Sequence, residues 1–311
     1  MSPGLGRYAF ALAPLAAAAL WGGMYVVSKW GFDLIPPVTL GFLRVAVGAG
    51  ALWLAVAGRG GPAPSRSEWP AFVALGGWVT VTIATQFVGT ELTNASQGSL
   101  LTVLTPVFTV LLGAAVLGER VTTARAGGMT VAGVGTAVVV AGQYDLGSMA
   151  AGNALGVALL LVGSATWAGY TVWGLRAVRR HGALRAATYS SLASLPMLGA
   201  LAAGELWYLG LSPADVPLTV ESVAAVLYLG LGATAAAWYL WYKGLEYVPA
   251  GTVAVFFFAQ PAVGAALGAA LLGESLGSGF VVGGALMTVG IWTVSRDRAE
   301  TADGPSDAAA E

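Results

Sequence analysis

Two cations sit inside apolar stretches of this sequence: Lys29 in "MYVVSKWGF" and Arg44 in "LGFLRVAVGAG". A charge at the centre of a membrane-spanning helix costs about 2.5–3.5 kcal/mol on insertion scales, so something must hold each of them. One reading is structural: Lys29 snorkels outward, and Arg44 caps carbonyls or pairs with Asp33 or Glu91. The other is functional: both cations line a cavity and attract a carboxylate or another anionic group. Amides and hydroxyls suggest where such a cavity would lie. Gln97, Leu101, Thr105, Thr109 and Gly113 are spaced by four and share one helix face. Thr252, Phe256, Gln260, Gly264 and Gly268 repeat that face 155 positions later. Polar groups are expensive in lipid, so the polar end of each face should turn to protein or to a water-filled cavity. Thr82 and Gln86 join this candidate lining. Trp21, Tyr25, Trp78, Trp167, Tyr170 and Phe256 to Phe258 add rings that can stack on an apolar or aromatic part of a ligand. Pro106 and Pro261 each remove a backbone donor inside an apolar run, which predicts a kink.

This chemistry is binding rather than catalysis. The sequence has no HExxH, no GxSxG and no Gly-rich phosphate loop with Lys. With no Cys and one His, disulfides, thiolate metal sites and Cys nucleophiles are excluded, and neither metal nor cofactor is expected. Glu119 and Glu274 end two copies of Leu-Gly-Glu. They fall at helix ends, where a carboxylate opposes the dipole, so each reads as a clamp. The amides of a helix starting after Thr122 and Thr123, or Arg125, would hold Glu119. No acid falls clearly in mid-membrane, since Glu91 and Glu205 lie near an end. Facilitated diffusion or exchange therefore suits the chain better than strict proton antiport.

The elements that must position these groups follow from composition. Of 311 residues, 57% are hydrophobic and 9% charged, against about 25% charged in a soluble domain. The chain should be embedded in a lipid bilayer, and its net charge of −1 argues against nucleic acid as a partner. About 20 apolar residues cross a bilayer. Breaks at Gly, Pro and charge clusters mark ten segments near 9–30, 37–58, 69–89, 94–117, 124–142, 152–174, 185–208, 219–242, 249–272 and 277–295. Arg7 ahead of the first run resembles a signal peptide, but nine similar runs follow it. With the N-terminus in the cytoplasm, 12 of the 14 Lys and Arg fall in cytoplasmic loops or tails, and the other two are Lys29 and Arg44. That bias predicts both termini inside. Trp30, Trp69, Trp207, Tyr208, Trp241 and Tyr242 read as an interfacial belt.

A repeat then emerges. Leu112–Ala115 matches Leu267–Ala270, Leu117–Glu119 matches Leu272–Glu274, and Gly89, Glu91, Pro106 and Gly128 match Gly244, Glu246, Pro261 and Gly283 at the same offset. Trp21 and Met24 pair with Trp167 and Tyr170 at an offset of 146. Residues 1–148 and 149–295 are then two five-helix repeats, followed by a disordered cytoplasmic tail at 296–311. Because five is odd, the second repeat inserts upside down. Two inverted bundles facing each other give the geometry of alternating access, with a substrate site near the midplane.

Residues 9–295, through "WGGMYVVSKW", "LGFLRVAVGAG", "QFVGTELTNASQGSLLTVLTPVFTVLLGAAVLGERV", "TWAGYTVWG" and "VPAGTVAVFFFAQPAVGAALGAALLGE", resemble the EamA-like ten-helix branch of the drug/metabolite transporter superfamily. The resemblance implies export or exchange of amino acids, metabolites or drugs across the cell membrane. It implies a cavity lined by the first four helices of each repeat, with the fifth peripheral, and it leaves the substrate open. The expected protein is an all-α integral membrane protein of ten transmembrane helices, an exporter or facilitator of small metabolites. A multidrug exporter and a non-transporting receptor are the alternatives. Oligomeric state is open, because Gly279 and Gly283 fit either an external or an internal packing partner.

Overall fold

The computed structural model describes residues 9–60, 63–93, 98, 101–143, 154–263 and 277–302, and every regular element among them is helical. Helices α1 (Ala9–Gly22) and α2 (Met24–Phe32) form one span interrupted at Gly23. They are followed by α3 (Pro37–Ala57), α4 (Trp69–Leu92), α5 (Thr105–Leu117) and α6 (Thr123–Gln143). The second half holds α7 (Ala154–His181), α8 (Ala183–Tyr208), and α9 (Val220–Leu227), which runs through a π-helical stretch at Tyr228–Ala236 into α10 (Ala237–Leu245). Last come α11 (Ala250–Ala254), a 3₁₀ stretch at Val255–Phe258, and α12 (Ser278–Ala302). Among the described residues, five continuous spans are long and apolar enough to cross a bilayer: Ala11–Phe32, Pro37–Ala57, Trp69–Leu92, Ala154–His181 and Val220–Leu245. Thr105–Leu117, Ala250–Val263 and Ser278–Val294 are shorter apolar helices. The helix α12 continues to Ala302, so the expected tail at 296 begins as helix.

Helix ends follow local chemistry. Pro37 opens α3, where a missing N–H costs nothing. Gly118, at φ +68°, ends α5 in the left-handed conformation, and the Glu119 N–H then bonds the Gly113 carbonyl at 3.2 Å. That turn aims the Glu119 carboxylate across the bundle.

Glycines set the packing. A Cβ on Gly283 would lie 2.5 Å from the Gly135 carbonyl oxygen, and one on Gly290 would lie 2.4 Å from that of Gly128. The backbones of α6 and α12 therefore touch at two points, as small residues allow. Gly128 faces Gly290 and Gly135 faces Gly283, so the two helices run antiparallel. The offset of 155 carries Gly128 onto Gly283 and Gly135 onto Gly290, exchanging one contact for the other. These two equivalent helices thus run in opposite directions. The glycine motif at 283 is used inside the chain. Elsewhere α4 packs on α7 and α8, α3 on α8 and the π stretch, and α1 on α10.

Three carboxylates cap helix starts on neighbouring elements. Glu205 accepts from Val38 N (2.9 Å) and Thr39 N (2.7 Å), and Glu246 accepts from Ala183 N (2.7 Å). Glu119 accepts from Ala250 N (2.9 Å) and Gly251 N (3.2 Å), with Arg125 at 3.5 Å. Arg125 was expected, but the capped helix is α11 and not the one beginning after Thr123. Glu274 lies outside the described residues.

The bundle has a basic end. Arg59, Arg185 and Lys243 surround one cleft there, and Arg180 and His181 reach Glu68 at 2.9 and 3.3 Å. Hydrogen bonds from the Ser65 backbone and hydroxyl, with Arg180 and His181 nearby, hold the Glu68 carboxyl below the usual carboxylate range.

Candidate functional site

Where the two halves meet, their helices enclose a void of about 20 Å³. That is room for little more than one water. The span α1–α2 supplies Trp21, Met24 and Tyr25, α3 supplies Arg44, and α4 supplies Ile83 and Gln86. Thr102 and Thr105 come from the fourth segment, Gly163 and Trp167 from α7, Trp238 from α10, and Phe257 and Gln260 from the broken ninth segment. Four pairs of this lining are equivalent in the repeat: Trp21 with Trp167, Ile83 with Trp238, Thr102 with Phe257, and Thr105 with Gln260.

Arg44 is 1% exposed. Its guanidinium donates to the Thr234 hydroxyl (2.9 Å), the Ala233 carbonyl (3.0 Å) and the Met24 sulfur (3.0 Å), and stands 5.4 Å from the Phe87 ring centre. All of these partners are neutral, so the expected pairing with Asp33 or Glu91 does not form. The Ala233 carbonyl also accepts from Trp21 Nε1 at 2.8 Å. Both Ala233 and Thr234 lie on the π-helical stretch, a feature that disturbs regular backbone pairing and is common at functional sites. A Cβ on Gly48 would lie 2.8 Å from the Gly230 oxygen. That close approach lets α3 bring Arg44 against this stretch.

Tyr25 anchors a second network. Its hydroxyl makes a short hydrogen bond with Thr102 and accepts from Gln86 Nε2 at 2.8 Å, while Thr102 donates on to the Gly98 carbonyl at 2.7 Å. The equivalent pair in the other half is Trp241 Nε1 donating to Thr171 at 3.0 Å. Three buried polar groups of the lining have no hydrogen-bond partner: Thr105 Oγ1, Trp167 Nε1 and Gln260 Nε2. Buried polar groups are normally paired, so their convergence on one void marks a place for a polar ligand. Among the described residues no three of His, Asp and Glu come together as a metal site would need.

Rings fill the space between the void and the basic end. Trp21 stacks on Phe257 at 5.2 Å, meets Trp167 edge-on at 5.4 Å, and Tyr170 stacks on Tyr242 at 4.8 Å. Trp241 and Tyr242 are fully buried in this cluster, not interfacial as their place near a predicted helix end suggested. Trp207 and Tyr208, each 82% exposed, do face outward.

The structure brings Trp21, Tyr25, Arg44, Gln86, Thr105, Trp167 and Gln260 to the void. Lys29 is elsewhere, bound to Glu91 at 2.8 Å on the end opposite the basic one. Thr82 bonds Thr166 between α4 and α7 at 2.8 Å, and Tyr170 bonds Ser190 at 2.9 Å behind the void. Gln97 lies outside the described residues. Phe257 lines the void in place of Phe256, and it sits in the 3₁₀ stretch Val255–Phe258. Phe257 and Gln260, and likewise Thr102 and Thr105, are three apart. The breaks precede Pro261 in one half and Pro106 in the other, where Val103 and Leu104 form a turn. Sequence reasoning missed Met24, Ile83, Thr102, Gly163 and Trp238, and had Phe257 only within the group Phe256 to Phe258. Ile83/Trp238 and Thr102/Phe257 could have been found by extending the repeat offset.

Comparison with known proteins agrees with this architecture. Residues 8–141 and 154–296 each match the EamA-like transporter family. An uncharacterised transporter of Archaeoglobus fulgidus is 27% identical over 89% of this chain and 95% of its own length. A probable terminal-alkyne amino-acid exporter of Streptantibioticus cattleyicolor is 28% identical over 89% and 90%, and a probable amino-acid metabolite efflux pump of Salmonella typhimurium is 26% identical over 89% and 92%. A crystal structure with 22% identity superposes on 96% of this chain with a TM-score of 0.75, a likeness of fold. Matched in both halves and along nearly its whole length, the chain belongs to the EamA-like transporter family and is a membrane transporter of small molecules.

Proposed function

We propose that this transporter exports, or passes by facilitated diffusion, small metabolites such as amino acids across the cell membrane. It works by alternating access of two inverted five-helix repeats, ten spans in all, with the basic end and both termini in the cytoplasm. The observation that carries this reading is the void lined pairwise by equivalent residues of both halves. A site on the axis between inverted repeats can be reached from either side as one repeat rocks against the other. At about 20 Å³ the void is too small for a metabolite, so loading requires the helices to part. The antiparallel contact of α6 with α12 supports the inversion, and the clustering of Arg59, Arg180, Arg185 and Lys243 at one end supports the orientation. The names of the Streptantibioticus and Salmonella relatives support amino-acid-like cargo. Among the described residues no acid lines the void, which favours facilitated diffusion or exchange over proton antiport. The test is counterflow of a radiolabelled amino-acid panel in liposomes preloaded with the unlabelled compounds. Accumulation above protein-free vesicles is expected. Failure of the whole panel with folded protein would end this reading.

A further inference from the structure

We infer that the void recognises the carboxylate of its substrate and not the amino group, so that its substrates are apolar or aromatic organic monocarboxylates, with or without an amine. This rests on the transporter reading above and narrows it.

Among the described residues, Arg44 has only neutral acceptors as partners. A buried cation left without a counter-charge is costly, and the planar guanidinium matches a carboxylate in two-point geometry. The unpartnered lining groups point the same way. Trp167 Nε1 and Gln260 Nε2 are donors, and Thr105 Oγ1 is a hydroxyl that can donate. Together with Arg44 they ask for a ligand rich in acceptor oxygens. An ammonium meets the opposite situation: among the described residues no Asp or Glu lines the void, Glu91 is taken by Lys29 at the exposed end, and Arg44 repels a second cation. The repeat is asymmetric in this respect. Ser190 stands at the position equivalent to Arg44 and is hydrogen-bonded to Tyr170. The carboxylate end is therefore held on the Arg44 side, with the apolar body against Trp21, Trp167 and Phe257.

Three probes of one skeleton test this: phenylalanine, 3-phenylpropionate and 2-phenylethylamine. Binding is measured calorimetrically on the detergent-purified full chain at neutral pH. 3-Phenylpropionate should bind at least as tightly as phenylalanine, and the amine weaker by about 100-fold or more. Arg44→Gln should weaken both acids by about 10- to 100-fold, the value of a charged hydrogen-bonded anchor, and should tighten the amine, which no longer meets a buried cation. A melting curve accompanies each variant, and Arg44→Lys, which keeps the charge, should retain part of the preference. The wild-type panel decides by itself if Arg44→Gln does not fold. Binding of phenylalanine and the amine with rejection of the acid would overturn the inference while leaving the transporter reading intact. Binding of none of the three would overturn it too, and the counterflow panel would then show whether the transporter reading falls with it.

Discussion

Replacing Gly283 by Ala tests the contact on which the inversion rests. The added Cβ would lie 2.5 Å from the Gly135 oxygen and 2.7 Å from Val139 N, both backbone atoms that cannot step aside. To regain ordinary contact, α6 and α12 must part by roughly 1 Å. A gap of that size forfeits a quarter to a half of the dispersion energy of each facing atom pair. Overpacking of this kind costs about 1–3 kcal/mol, and backbone neighbours argue for the upper half. Ala also favours helix over Gly by about 0.5–1 kcal/mol, which masks part of the loss. The adjacent Gly284 removes that ambiguity, since a Cβ there meets nothing within 4 Å. Both substitutions carry the same propensity gain, so their difference isolates the contact: Gly283→Ala should be less stable than Gly284→Ala by about 2–3 kcal/mol. Gly128→Ala and Gly127→Ala should show the same sign on the partner helix, because Gly128 is packed and Gly127 is open. The assay is reversible SDS unfolding in mixed micelles, followed by tryptophan fluorescence. Equal stability within each adjacent pair would mean that these helices do not meet through their glycines.

Lys29 and Glu91 are 37% and 42% exposed, so a double-mutant cycle through Lys29→Gln and Glu91→Gln should return a coupling of only about 0.2–1 kcal/mol. Substrate affinity should be unchanged, and a tenfold loss in Lys29→Gln would return that residue to the site. Glu119→Ala strips Ala250 N, Gly251 N and Arg125 of a common acceptor and should cost about 2–3 kcal/mol in the same unfolding assay. Unchanged stability would show that the clamp is idle. The chain has no cysteine, so Asp215→Cys and Arg179→Cys report orientation cleanly with an impermeant maleimide. Asp215→Cys should label in intact cells and Arg179→Cys only after permeabilisation; the reverse pattern would invert the proposed orientation.

Much of the site could be read from the chain because lipid punishes unpaired polarity. A polar residue in an apolar run has to turn inward, and the repeat offset marks which inward positions face each other. That logic found Arg44, Gln86, Thr105 and Gln260, along with the Trp21/Trp167 pair. Its place at a helix end marked Glu119 as a clamp, and it does hold Ala250 N and Gly251 N. The helical, repeated architecture followed from the same periodicities and from the scarcity of charge.

The sequence by itself determined that certain groups need partners; only the tertiary structure decided who the partners are. Lys29 and Arg44 carry the same charge in similar surroundings, yet one meets Glu91 at an exposed end and the other a hydroxyl, a carbonyl, a sulfur and an aromatic ring. Nothing local distinguishes them, because each partner arrives from a distant helix. Trp241 and Tyr242 sit near the end of their helix, where a wet interface is the default. They are buried because Tyr170, Trp21 and Phe257 pack over them. The ninth segment shows the limit most directly. A spacing of four predicts Phe256 on the cavity face, but the 3₁₀ stretch ahead of Pro261 rotates the chain and presents Phe257 instead. A few tens of degrees of backbone winding decide which of two adjacent phenylalanines lines the void.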